Sequence, residues 1–110
     1  IQFCLQGSGD MEAMNSRNLP FLAGTAMAYG LDEEAAVASI SLAPCKIMGI
    51  AKDYGSVEKG KKASFFVSEG NALDMMTNKV TLICLDGVLQ STSNFQLELY
   101  ERYKAKYEKQ

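Results

Sequence analysis

Histidine and tryptophan are both absent from the 110 residues. Without histidine the chain cannot by itself build a Ser-His-Asp or Cys-His centre, and it cannot form a histidine-rich zinc site. No stretch approaches the roughly 20 apolar residues that a membrane-spanning helix needs. The chain also has no excess of basic residues, because 11 basic and 13 acidic residues give a net charge of -2. The composition therefore predicts neither a nucleic-acid partner nor a membrane partner.

Cysteine is scarce: Cys4, Cys45 and Cys84 are far apart in the sequence and no CxxC pair exists. Each lies beside apolar residues, which favours three reduced and buried thiols. One disulfide with a third thiol left over is the alternative. Unpaired thiols slightly favour a reducing compartment such as the cytoplasm, while a periplasmic location stays open. No signal peptide is visible.

The length and the 47% hydrophobic content fit one globular domain at most. The chain opens on Ile1, inside an apolar run, so we expect a piece of a longer protein. Hydrophobic periodicity predicts an α/β chain with the order strand, three helices, three strands, helix. The predicted elements are a strand over 1–5, a loop over 6–10, an irregular or short helical link over 11–18, a helix capped by Asn18 and ended by Gly30, a helix capped by Asp32, a helix from Pro44 to about Ile50, strands over 64–68, 79–85 and 88–90 with a two-residue turn at Asp86-Gly87, and a helix from about Asn94 to Lys109.

The loop Gly7-Ser8-Gly9-Asp10 follows a predicted strand and precedes a helical region, which is where α/β proteins place ligands. Asp10 is therefore a candidate metal ligand or general base. The alternative is a turn aspartate held by its own backbone. The loop lacks both the G-x-G-x-x-G pattern and the lysine of a P-loop, so it does not predict phosphate binding.

Two further patterns have a structural and a functional interpretation. The last helix carries Phe95, Leu99, Tyr103 and Tyr107 at four-residue spacing. We expect this face to bury Phe95, Leu99 and Tyr103 against the rest of the domain or a missing neighbour, with a partner-binding face as the alternative. The basic turn at 59–62 is expected to be solvated, and contact with an anion is the alternative.

Four segments of the sequence carry recognisable motifs. In order they are N-L-P-F-L-A-G at 18–24 with A-Y-G-L-D-E-E-A at 28–35, S-L-A-P-C-K-I-M-G-I at 41–50, Y-G-S-V-E-K-G-K-K-A-S-F at 54–65, and V-T-L-I-C-L-D-G-V-L-Q at 80–90. Together they resemble the late part of metal-dependent amidohydrolases of the imidazolonepropionase and dihydroorotase type, over about residues 1–92. The second segment is similar to the family's T-x-x-P-A-x-x-L-G helix, the third to its G-S-[IL]-E-x-G-K-x-A-D-[LF] turn and strand, and the fourth to its closing V-x-x-V-x-V-D-G-x-x-V hairpin. Ser64 stands where the third pattern has aspartate.

The resemblance implies part of a larger architecture, in which a (β/α)8 barrel holds the catalytic site at its C-terminal face beside a small β-sandwich. Residues 1–52 would then supply the last barrel strand and the helices that cover it. Residues 53–92 would supply strands of the sandwich with their hairpin. Residues 93–110 would form a C-terminal helix that matches no part of the family pattern.

The resemblance also implies chemistry. The family uses one or two divalent metal ions, commonly zinc, to activate a water that attacks an amide, a cyclic amide or a related C–N bond of a small molecule. Of the family's ligands, only the aspartate after the last barrel strand falls within this segment, where it binds the metal and accepts the proton of the water. A direct count places that position on Ser8, and a two-residue insertion places it on Asp10.

The expected function is that of a C-terminal fragment of an amidohydrolase-like enzyme, inactive as an isolated chain because at most one metal ligand is present. The first alternative is a non-catalytic member of the family with a binding or structural role, in which Ser8 marks loss of the metal. The second is an independent small interaction module. A homo-oligomer stays open under each.

Overall fold

The computed structural model describes residues 2–7 and 11–109. It combines five helices with one three-stranded antiparallel sheet, which confirms the mixed helix and strand content of the expected α/β class. None of the described helices is both long enough and apolar enough to cross a bilayer. The elements are α1 (Glu12–Asn15), a 3-10 turn (Ser16–Asn18), α2 (Leu19–Ala28), α3 (Glu33–Ile40), α4 (Leu42–Ile47), β1 (Phe65–Glu69), β2 (Lys79–Leu85), β3 (Val88–Gln90) and α5 (Phe95–Glu108).

The boundary between α2 and α3 follows the local signals. Gly30 has φ of 109° and its N–H donates to Met27 O, while Leu31 N–H donates to Ala26 O; together these bonds close the end of α2. Asp32 then caps α3, since its carboxylate accepts a hydrogen bond from Ala35 N at 3.3 Å. Two glutamates in the first turn suit the positive end of that helix.

The small core lies between α2, α3 and the loop that joins β1 to β2. Ala23 and Ala36 are fully buried, and Leu73 of the loop is 5% exposed. Small side chains at the helix crossing let the backbones approach closely. Gly24 shows how close, because a Cβ at this position would overlap the Leu73 carbonyl oxygen. Partly buried side chains complete the cluster, namely Leu5, Met27, Leu31 and Ile40.

The strands pair in the order β1-β2-β3, with Phe66 opposite Ile83 and Cys84 opposite Leu89. Both turn residues of the hairpin have positive φ, 48° at Asp86 and 82° at Gly87, which confirms the predicted two-residue turn.

A hydrogen-bond cluster fastens this turn to the segment before β1. The Ser64 hydroxyl accepts from Asp86 N at 3.0 Å and donates to the Asp86 carboxylate at 3.2 Å. Tyr54 donates to the same carboxylate at 3.4 Å, and Gly87 N donates to Ala63 O at 2.9 Å. Ser64 therefore has a structural partner at the position where the family pattern has aspartate.

Three local predictions were wrong. Residues 2–5, the described part of the predicted first strand, form no strand, because none of the described strands lies beside them to complete a ladder. The predicted helix from Pro44 to Ile50 instead runs over Leu42–Ile47. Asn18 occupies the cap position of α2 without a side-chain cap bond, because its backbone continues the helical turn before it (φ -89°, ψ -2°).

The aromatic face of α5 is also not buried as predicted. The helix begins and ends close to the predicted bounds, and Asn94 caps it by accepting from Leu97 N at 3.0 Å. However, Phe95 is 72% exposed and Tyr103 is 52% exposed, and α5 makes no extensive contact with another described element. Leu99 is half-buried, so the four-residue stripe is present but is mostly exposed in the described chain.

The three cysteines carry free thiols. Cys84 is buried in the sheet, as the expected small hydrophobe would be, while Cys4 and Cys45 are half-buried. The alternative with one disulfide is therefore wrong for this structure.

Candidate functional site

The main candidate site is a cleft of about 780 Å³ at the end of segment 2–7. That segment is held in place by a backbone hydrogen bond from Leu5 N to Ser39 O of α3, at 3.0 Å. Ser39 is itself buried, and its hydroxyl donates to Ala36 O at 2.6 Å. The anchor therefore fixes where Gln6 and Gly7 enter the cleft.

The cleft walls come from four parts of the chain. Residues 6 and 7 form one edge, and the turn between α1 and α2 forms the next. One side of α2 forms the floor, and a methionine of the loop between β1 and β2 closes the far edge. The lining residues are Gln6, Gly7, Asn15, Ser16, Asn18, Leu19, Phe21, Leu22, Thr25 and Met75.

The cleft lining is uncharged among the described residues. It offers three side-chain carboxamides, two hydroxyls and four apolar side chains. The Thr25 hydroxyl donates to Phe21 O at 3.0 Å, so this donor is used within the helix. Carboxamides both donate and accept hydrogen bonds. The described wall therefore suits a neutral polar ligand that has an apolar part, and it contains no acid or base of its own.

Asp10, predicted as the catalytic and metal-binding residue, lies outside the described residues, and so does its rival Ser8. In the sequence both lie between Gly7, which lines the cleft, and Met11.

The parts of the chain that are described do not fit a metal ion by themselves. Within 2–7 and 11–109 no three Cys, Asp or Glu side chains come together in a group that would hold a cation. Histidine is missing from the whole sequence. Since a structural or catalytic ion needs at least three protein ligands, the described residues give no basis for a metal-dependent step.

The basic turn at 59–62 is exposed at Lys59, Gly60 and Lys62, as the sequence predicts, and Lys61 is the exception. The Lys61 side chain is 12% exposed; its ammonium donates to the Ser56 hydroxyl at 2.6 Å and pairs with Glu58 at 3.3 Å. Because this lysine has partners close by in the sequence, it contributes to the local structure and is not available to an anion.

A second groove, of about 760 Å³, lies between α3, α4 and the start of β1. Its walls include Val37, Val57 and Phe66, each at least 44% exposed, with Glu33 and Glu34 at the rim. It holds no group of candidate catalytic side chains and presents an uncovered apolar surface.

Sequence reasoning missed the carboxamides of the cleft. Gln6, Asn15 and Asn18 read individually as loop or cap residues, and their shared position depends on how segment 2–7 lies against α2. The sequence carried no signal for this use of Asn18, because the absence of a side-chain cap bond at this residue is visible only in the structure.

Comparison with known proteins gives one family and one solved structure. A model described as "Amidohydrolase family" matches residues 5–98. The crystal structure of an amidohydrolase from Thermotoga maritima MSB8 is similar, with a TM-score of 0.62 and 35% sequence identity over 67% of this chain. That match covers 19% of the bacterial protein, so the chain spans about a fifth of its length. A search of curated proteins found no match.

Proposed function

The chain belongs to the amidohydrolase family, and from this premise we propose that it is the C-terminal segment of a longer hydrolase. The hydrolase would cleave non-peptide C–N bonds of small amides or cyclic amides. The observation that carries the proposal is the position of the cleft. It opens where segment 2–7 ends, inside the family match. The resemblance to amidohydrolases makes residues 1–5 the last barrel strand of the longer protein, and ligands of such barrels lie beyond the carboxyl ends of the strands.

The cleft chemistry supports an amide-type substrate. A neutral amide needs hydrogen-bond donors for its oxygen and acceptors for its N–H, and one type of side chain, the carboxamide, supplies both. Gln6, Asn15 and Asn18 bring three carboxamides to one wall, beside the apolar side chains of Phe21 and Leu22. The proposed substrate is therefore a small neutral amide with an apolar part.

We propose Asp10 as the residue through which this chain contributes to a divalent metal site, with zinc as the first choice. Amidohydrolases are generally metal-dependent, and the described residues of this chain cannot hold the ion alone. The remaining ligands would come from the rest of the longer protein. The isolated chain is accordingly proposed to be inactive.

The surface of the chain supports its being part of a larger molecule. A compact monomer of 12.0 kDa exposes about 6,000 Å², whereas this chain exposes 8705 Å². Its radius of gyration is 16.6 Å, against about 13 Å for a compact domain of this length. The exposed surface includes large apolar side chains in the groove beside α3 and at the end of the hairpin, among them Val57, Val88 and Leu89.

A second candidate function is a non-catalytic amidohydrolase-fold protein with a binding or structural role. It is favoured by one observation: a direct count along the sequence places Ser8, which cannot accept the proton, at the family's aspartate position. The two candidates share the fold and the cleft and differ in whether a metal and a base are present.

The deciding experiment uses the longer protein that contains these residues. It would be purified, analysed for metal by mass spectrometry, and assayed on neutral linear and cyclic amides before and after chelation. We expect turnover that chelation abolishes and added zinc restores. A folded protein without stoichiometric metal and without turnover of any amide would overturn the hydrolase and favour the non-catalytic member.

A further inference from the structure

Helix α5 is the part of the chain that the proposed function does not use. The family match ends at residue 98, and α5 continues for ten residues beyond it. The helix bears exposed aromatic side chains, with Phe95 at 72%, Tyr103 at 52% and Tyr107 at 65% exposure. An apolar helix face of this kind marks a surface that normally has a partner.

The spacing of the apolar residues is self-complementary. Four residues make slightly more than one helical turn, so each step from Phe95 to Leu99, Tyr103 and Tyr107 advances about 40° around the helix. These residues form one continuous seam, and the seam is symmetric about position 101. When two such helices lie antiparallel and centred there, Phe95 meets the partner's Tyr107 and Leu99 meets the partner's Tyr103. The same patch on both subunits is what a two-fold interface requires.

The charges along α5 select the antiparallel direction. The first half of the helix carries Glu98 and Glu101, and the basic residues Arg102, Lys104 and Lys106 all follow. Helical geometry places Glu98, Arg102 and Lys106 on one flank of the seam, and none of them forms an ion pair with another described residue. In an antiparallel pair Glu98 lies between the partner's Arg102 and the partner's Lys106. In a parallel pair the two Glu98 side chains would lie on opposite sides of the interface, so Glu98 would meet neither the partner's Arg102 nor the partner's Lys106.

The other flank of the seam is basic and aromatic. Lys104 lies over the ring of Tyr100, 5.8 Å from its centroid, and pairs with Glu108 at 4.0 Å. Its charge is thereby compensated within its own helix, so this flank adds no repulsion to an antiparallel pair. Leu97, Glu101 and Ala105 lie directly opposite the seam and are exposed to water.

We propose that α5 is a self-association element, which pairs antiparallel with α5 of a second copy of this chain through the seam Phe95, Leu99, Tyr103 and Tyr107. The pair buries four apolar side chains from each subunit and places acidic beside basic side chains on one flank. Two helices of 14 residues bury a small area compared with most specific protein–protein interfaces. The dimer is therefore weak, and its population depends on protein concentration.

Association of the 110-residue chain is the first test, by sedimentation equilibrium across a range of concentrations. We expect a monomer–dimer equilibrium, and Leu99→Lys in the seam should raise the dimer dissociation constant about tenfold or more, because a buried aliphatic contact is lost from both subunits. Ala105→Lys, on the far side of the helix, is the matched control and should leave it unchanged. Circular dichroism checks that α5 stays helical. A chain that stays monomeric throughout, or a dimer that Leu99→Lys does not weaken, would overturn the proposal.

Direction is tested by charge. Glu98→Lys puts three basic residues on the flank, so at low salt an antiparallel dimer should weaken about fivefold, with a smaller effect at high salt. Glu101→Lys makes the same charge change away from the seam and should have little effect. If Glu98→Lys leaves association unchanged or strengthens it, the helices are not antiparallel and the proposal is wrong.

A different surface of the chain is the remaining competitor. The apolar groove beside α3 could receive α5 of a second copy, or could pair with itself. Phe66→Lys places a charge in that groove without touching α5. We expect this variant to dimerise like the unmodified chain. Loss of the dimer in Phe66→Lys would assign the association to the groove and overturn the helix pair.

Discussion

Gly24 and Gly87 are both required by the fold, for different physical reasons. Gly24 lies in α2, where a side chain would meet the Leu73 carbonyl oxygen, so its role is to let a loop approach a helix closely. Gly87 has open space around it and a φ of 82°, so its role is conformational. The Asp-Gly pair in the sequence predicts the role of Gly87. The role of Gly24 cannot be predicted in this way, because it depends on a loop some 50 residues away in the chain.

Asp10 carries the residue-scale prediction for the longer enzyme. Asp10→Asn should lower hydrolysis by a factor of about 10² to 10⁴, because the amide keeps the volume of the carboxylate and loses its charge and its ability to accept a proton. Ser8→Ala should have a mild effect. Steady-state rates of both variants, with metal content measured in parallel, decide the assignment. Normal turnover of Asp10→Asn would show that Asp10 is not the metal ligand and base.

At the scale of the element, α2 and α3 test how much a helix cap contributes. Asp32→Ala should lower the free energy of unfolding by about 1 kcal/mol, because it removes the bond that Ala35 N donates at 3.3 Å. Asn18→Ala is the matched control: Asn18 holds the same position on α2 without a side-chain cap bond, and its replacement should cost much less. Urea unfolding of both variants measures the difference. Equal losses would show that residue type, and not the observed bond, determines the effect.

The hairpin turn gives a second prediction at this scale. Gly87→Val should destabilise the chain by about 1–3 kcal/mol, because a β-branched residue is strained at positive φ. Gly87→Asn should keep most of the stability, since asparagine tolerates the left-handed region. Thermal and urea unfolding of the two variants would check the order. A Gly87→Val chain as stable as Gly87→Asn would contradict the type of turn.

At the scale of the whole molecule, the chain is incomplete in its chemistry as well as in its surface. The described residues bring no three metal-ligating side chains together, and histidine is absent. We therefore expect the isolated chain to bind zinc no more tightly than about millimolar, since a structural site needs about four well-placed ligands. Dialysis followed by metal analysis measures this directly. One zinc ion retained per chain would contradict the prediction.

The elements that were predicted correctly are those determined by local chemistry. Three local signals act within a few residues of themselves, and the structure confirms all three: Asp32 with two following glutamates, Gly30 after an apolar stretch, and Asp86-Gly87 between two apolar strand segments. The elements that were wrong need a distant partner. Residues 2–5 require a neighbouring strand to become one, and the seam of α5 requires a second surface to be buried.

The sequence by itself determined the order and type of most elements, because capping, turn conformation and hydrophobic periodicity are properties of short segments. It indicated the family through the resemblance of its four motifs, which the family match over residues 5–98 confirms. Only the tertiary structure decided which residues share a surface. It brought Gln6 to Asn15 and Asn18 across the cleft, inserted Leu73 against Gly24, and left the face of α5 uncovered. These outcomes depend on packing between segments far apart in the chain, where many arrangements satisfy the same local preferences and close-packing selects one.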